Sequence, residues 1–284
     1  MRLAAITLLC GLLLAAAPPD DLARARKLYS YTDYDGSLAI LQKLPQKDAP
    51  VYALTGQNFF MLGDYKKATE ILEKALAGDP ENSDYALWLG RAYGRRAETS
   101  SPFTALGSAT KARANFEKAV RLNPRNLEAL SDLFEYYLEA PGFVGGGLDK
   151  AARTADQMNA LDAVEGHWAM ARLAEKKKEF GTAEQHLQMA AQMAPQQVGK
   201  LLDLARFLGK QGRYQESEEH FKKAEKLAPN NPRVIFARAD TYIQEGRNLD
   251  TARKLLKQYL NAQLSPDDPP RAEAEKLLKK ASGG

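Results

Sequence analysis

Small side chains return at two fixed places of a thirty-four-residue window along most of this chain, and no other feature of the sequence restricts its fold as severely. In the window 49–82 (APVYALTGQNFFMLGDYKKATEILEKALAGDPEN) the recurring positions 8, 11, 15, 17, 20, 24, 27 and 32 hold Gly56, Phe59, Gly63, Tyr65, Ala68, Leu72, Ala75 and Pro80. Apolar residues three and four apart mark two amphipathic helices, separated by a turn at Gly63 and ended by Asp79-Pro80. Gly or Ala at positions 8 and 20 lets the two helices cross closely, because a larger side chain there overpacks the crossing at a cost of about 1–3 kcal/mol. One such hairpin cannot cover its own apolar face, so neighbours must stack on it.

The pattern resembles the tetratricopeptide repeat, and the resemblance covers nearly the whole chain after residue 17. It implies an all-α, right-handed superhelical solenoid of about seven helix pairs, with repeats near 18–47, 49–82, 83–126, 127–163, 164–197, 198–231 and 232–265, and with residues 268–284 forming a capping helix and tail. The repeats 164–197 and 198–231 keep the period closely, with Ala171, Ala183, Leu187 and Pro195 in one and Ala205, Gly212, Tyr214, Phe221 and Pro229 in the other. Repeats 3 and 4 carry surplus residues between their helices, RRAETSSPFTALGSAT and EAPGFVGGGLDK. Both read as loops emerging on one edge of the solenoid, with Phe103 and Phe143 expected to pack together as a small knob.

The first 17 residues, MRLAAITLLCGLLLAAA, have a basic start, an apolar run and small residues at the end, which is the organisation of a secretory signal peptide. Export to a periplasmic or extracellular space is the expectation, with an uncleaved membrane anchor as the minority alternative. Removing this segment removes Cys10, the only cysteine, so the mature chain has no thiol chemistry. Forty Lys plus Arg against 36 Asp plus Glu gives +4. The two signs are interleaved, as in ESEEHFKKAEK, so the charge reads as solvated helix faces and argues against nucleic acid.

Chemistry finds few candidates. His186 and His220 both fall at position 23 of successive repeats, which suggests a structural slot, and His167 lies on the first helix of repeat 5. No two histidines stand four apart to hold zinc. Gly145-Gly146-Gly147 followed by Lys150 lacks the Gly-Lys-Ser/Thr that closes a phosphate loop, and the segment before it is helical rather than a strand. The expectation is therefore a non-enzymatic protein without metal or cofactor.

The tetratricopeptide resemblance implies that first helices line a concave groove through positions 5 and 9. Position 5 is Ala53, Leu87, Ser131, Trp168, Leu202 and Phe236; position 9 is Gln57, Arg91, Glu135, Arg172, Arg206 and Asp240. Leu87 with Arg91, Trp168 with Arg172, and Leu202 with Arg206 share faces at four-residue spacing. Together with Phe236 they are expected to bind an extended or helical segment of a partner protein, with Trp168 as the anchor. No Asn occupies position 9, which disfavours a clamp for chaperone tails. A self-associating structural scaffold, assembled through the solenoid ends or the loop edge, is the alternative; membrane contact has weak support.

Overall fold

The structure is a computed structural model that describes residues 21–283. The proposed signal segment therefore lies outside the described residues, as does the side chain of Phe103. Within them the chain is all-helical: fifteen α-helices and one short 3-10 turn, with no strand. The helices pair as α1 (Asp21–Ser30) with α2 (Tyr34–Lys43), α3 (Ala49–Met61) with α4 (Tyr65–Gly78), α5 (Ser83–Thr99) with α6 (Pro102–Leu122), and α7 (Leu127–Glu139) with α8 (Leu148–Leu161). They continue as α9 (Ala163–Lys176) with α10 (Phe180–Met193), α11 (Val198–Lys210) with α12 (Tyr214–Leu227), and α13 (Pro232–Gln244) with α14 (Leu249–Leu260), closed by α15 (Arg271–Ala281). Among the described residues no helix is long and apolar enough to cross a membrane.

Local chemistry explains where the helices begin and end. Short polar side chains cap the N-termini: Asp48 accepts from the Val51 N–H at 3.1 Å, Asp64 from Lys67 at 3.0 Å and Asn126 from Ala129 at 3.0 Å. Position 15 must leave the first helix in the left-handed region. Gly63, Gly212 and Gly246 do so at φ 79, 76 and 65° without steric cost, whereas repeat 5 forces Lys178 into the same conformation at φ 63°. In repeat 7 the extra turn residue adds a second left-handed position, Asn248.

The small residues sit where the spacing puts them. A Cβ on Gly56 would meet Leu72 Cγ at 2.5 Å, and one on Gly90 would meet the Phe116 ring at 2.6 Å. Ala171 and Ala205 are wholly buried at the equivalent place. Repeat 4 inverts the arrangement: Phe134 stands at position 8, and Ala151 and Ala155 across from it make room in the same core cluster. The fold is thus close packing of large against small at each crossing.

Of the two surplus segments, the one in repeat 4 is a loop as expected and the one in repeat 3 is not. In repeat 3 only Ser100 and Ser101 lie outside the helices. Pro102 opens α6 at a position where a missing N–H is harmless, and the Ala, Arg, Glu and Leu residues on either side are good helix formers. The surplus therefore lengthens both helices, to 17 and 21 residues against 13 and 14 in repeat 2. In repeat 4 the glycine run is a tight, fully bonded turn. Gly145 takes φ 95°, the Gly147 N–H donates to the Tyr137 carbonyl at 2.8 Å, and Lys150 Nζ donates to the Gly145 carbonyl at 2.9 Å. A Cβ on Gly146 would lie 1.8 Å from the Ala140 carbonyl oxygen, so that position admits only glycine. Val144 is buried as the anchor of the turn, while Phe143 points outward, 82% exposed.

Candidate partner-binding channel

The first helices of repeats 2, 3 and 4 wall a channel of about 1630 Å³. Its sides are built from Ala53, Gln57 and Phe60 of α3, Leu87, Trp88, Arg91 and Arg95 of α5, and Asp132, Glu135 and Tyr136 of α7. The lengthened hairpin of repeat 3 contributes directly, since Ala97, Glu98 and Ala109 belong to its extra turns. The opposite rim joins the two ends of the solenoid: Arg26 and Tyr29 of α1 face Pro266 and Asp267 of the connection before α15. Asp267 adds to the burial that pushes the Tyr29 hydroxyl far up, and the Tyr34 phenol is pushed up to about 12 by burial, with Arg271 opposing and Asp268 reinforcing.

One wall is an aromatic and cationic stack. Phe60 meets Tyr65 and Trp88 edge to face, each at 5.5 Å between ring centroids. The Arg91 guanidinium lies 5.1 Å from the Trp88 ring centre and that of Arg95 lies 5.4 Å from Tyr65. Arg91 then bridges to the next repeat, 2.5 Å from Asp132 and 3.2 Å from Glu128. Burial works against the Arg91 charge, but Asp132 and Glu128 outweigh it and hold the guanidinium protonated. Burial also lifts the carboxyls of Asp132 and Glu135 above the usual range, against the pull of their arginines.

The structure divides the expected site residues. Leu87 and Arg91 line the channel, although Leu87 is only 2% exposed. Leu202 and Phe236 are buried in core clusters, and Phe236 packs on Tyr259 with ring centroids 5.1 Å apart. Trp168 is half-buried, edge-on to Phe134 at 5.9 Å and beneath the Lys200 ammonium at 5.7 Å, and it does not line the channel. The open apolar strip expected along positions 5 is thereby corrected. Adjacent first helices lie close enough that position 5 fills the seam between them.

The arginines of position 9 are likewise engaged inside the molecule. Arg172 reaches back to Glu135 at 3.0 Å and Glu139 at 3.5 Å, Lys176 to Glu139 at 2.6 Å, and Lys200 to Glu165 at 2.7 Å. These pairs tie α7, α9 and α11 together along the concave side. Arg206 pairs within its own helix, with Asp203 at 3.8 Å.

Two groups of residues escaped the sequence reading. Phe60 and Trp88 stand at positions 12 and 6; continuing the helical face from 5 and 9 to 12 would have found the first. The second group is the pair His167 and His186, whose Nδ1 atoms lie 2.9 Å apart across the α9–α10 hairpin. Their separation of 19 residues hides them from a search within one helix, but positions 4 and 23 face each other across an antiparallel hairpin. Burial, then His167, holds the His186 imidazole below its usual range. His220 occupies position 23 of repeat 6, where position 4 is Leu201 rather than a histidine, and its Nδ1 has no hydrogen-bond partner among the described residues.

Comparison with known proteins agrees with the architecture. Models of the tetratricopeptide repeat match residues 54–97 and 210–281. No curated protein sequence matches the chain. A thermophilic tetratricopeptide protein of Thermus thermophilus is 22% identical over 66% of this chain and 97% of its own, with a TM-score of 0.54. One from Parabacteroides merdae is 15% identical over 93% of this chain and 98% of its own, with a TM-score of 0.60. At such identities the likeness is one of fold, and the repeat matches and the helix-pair geometry carry the rest. This chain carries tetratricopeptide repeats at residues 54–97 and 210–281, within the helix-pair fold of tetratricopeptide solenoids.

Proposed function

We infer that this chain, as tetratricopeptide-repeat proteins generally do, serves as a non-enzymatic scaffold for protein–protein interaction. We propose that this chain acts outside the cytoplasm and holds an extended segment of a protein partner in the channel of repeats 1 to 4. The observation that carries the reading is the channel itself. At about 1630 Å³ it exceeds the roughly 300–1,000 Å³ of ordinary small-molecule pockets, and its walls come from consecutive first helices. Phe60 and Trp88 supply the aromatic contact area, and Arg91 and Glu128 supply partly exposed polar groups at the edge. Such a combination of aromatic anchor and guanidinium is where binding energy concentrates.

The test is a selection of displayed ten-residue peptides on the purified chain, followed by titration of the selected peptides. Trp168→Phe leaves Trp88 as the single tryptophan, so its emission reports channel occupancy. Phe60→Ala and Trp88→Ala should each weaken the selected peptides at least tenfold with unchanged helicity, while Trp168→Ala leaves affinity intact. Equal binding by Trp88→Ala and wild type would remove the channel from consideration. The self-associating alternative draws on Phe143, held outward on a rigid turn; Phe143→Ser should lower the mass in solution at high concentration if copies assemble through that edge.

A further inference from the structure

The facing histidines offer chemistry that the repeat pattern does not require. His167 Nδ1 and His186 Nδ1 lie 2.9 Å apart, with ring centroids 5.1 Å apart and planes inclined by 36°. Two nitrogens at this separation subtend about 90° at an ion roughly 2.0–2.1 Å from each, the usual metal–imidazole distance. That is the cis angle of a tetragonal site, the geometry favoured by divalent copper, which also stands highest in the affinity order for nitrogen donors. Both rings are half-buried on the hairpin surface, so solvent can complete the coordination.

The sequence places a thioether on either side. His167-Trp-Ala-Met170 and His186-Leu-Gln-Met189 repeat one spacing on two antiparallel helices, so each methionine shares a face with its histidine. Long side chains on a helix lean back over the preceding turn, which directs Met170 toward His167 and Met189 toward His186. Met189 is 45% exposed and unclaimed by the core. No group of three or more His, Cys, Asp or Glu side chains gathers to hold a metal among the described residues, so hard cations find no anionic cage here. We propose that His167 and His186 form a surface site for divalent copper, with Met170 and Met189 as soft flanking donors.

The experiment uses the full chain carrying Cys10→Ser, which removes the competing thiol. Copper(II) chloride is titrated by calorimetry and by electron paramagnetic resonance, with nickel(II) and zinc(II) in parallel. The proposal expects one saturable equivalent of copper, nitrogen superhyperfine structure from two imidazoles, and a raised unfolding temperature, because ligand bound to the native state alone stabilises it. His167→Ala and His186→Gln should each weaken copper at least tenfold, Met170→Leu with Met189→Leu about threefold, and His220→Ala not at all; circular dichroism checks that each variant keeps its helices. Nickel and zinc should bind more weakly than copper. Absence of saturable binding, or a stoichiometry and spectrum unchanged in folded His167→Ala and His186→Gln, would overturn the site.

Discussion

Repeats 2 to 4 and repeats 5 to 7 are written in the same code, yet one half encloses a channel of about 1630 Å³ and the other packs its seam shut. Position 5 does not mark the difference. Leu87 at the base of the channel is packed with Ala68, Leu72 and Phe116, just as Leu202 is packed among Phe221, Ala224 and Val234 and Phe236 among Tyr259 and Leu256. The repeat residues alone do not decide between these outcomes. What differs is the hairpin of repeat 3, whose extra turns add Ala97, Glu98 and Ala109 to the wall, and the return of Pro266 and Asp267 to α1 on the far side. Surplus residues, which look like interruptions of the pattern, are the part of the sequence that makes a cavity.

The contrast can be broken by substitution. The largest effect is expected from Phe207→Ala, which empties a fully buried site in the packed half and should cost about 3–5 kcal/mol in urea unfolding. Phe60→Ala, on the channel wall, should cost clearly less; equal losses would show that the open half is as tightly packed as the closed one. Gly90→Ala drives a methyl into the Phe116 ring at the base of the long hairpin and should destabilise by about 1–3 kcal/mol. A neutral result would mean that the repeat 3 crossing is loose. In the closed half, Lys178→Gly relieves the one left-handed lysine of the repeat turns and should stabilise by about 1 kcal/mol, seen as a raised unfolding midpoint.

The smallest effect is a pH dependence. Burial, then Lys223, holds the His220 imidazole below its usual range, against Glu219 and Glu216. The unfolded chain then binds the proton first as the pH falls below about 6.5, so stability is present above that value and lost beneath it. His220→Gln should flatten the difference in unfolding midpoint between pH 8 and pH 5. An unchanged difference would place the acid sensitivity elsewhere.

Most of the architecture was legible because it rests on volume at fixed spacing. Gly56, Gly90, Ala171 and Ala205 lie at the crossings where their size is required, and the caps and turn glycines follow from local backbone chemistry. The site was less legible for two physical reasons. Whether a side chain at position 5 meets solvent depends on the distance between neighbouring helices, a quantity no single repeat contains. Contacts across a hairpin or between repeats, such as His167 with His186 or Arg91 with Asp132, join residues 19 and 41 apart, and these become visible only when positions are paired across the turn or the stack. Proline and glycine misled once: Ser100-Ser101-Pro102 marks a corner between two long helices, not a loop.

The meeting of α1 with the segment before α15 also sets a limit on growth. An open stack of hairpins can gain units at its tip without disturbing those already present, so length is free to drift by duplication. Here the face of the last hairpin is already covered by α15, and the connection before it shares the channel rim with Arg26 and Tyr29, so an eighth unit would have to displace both. The number of repeats is therefore tied to the width of that rim, and lengthening the stack would mean rebuilding it.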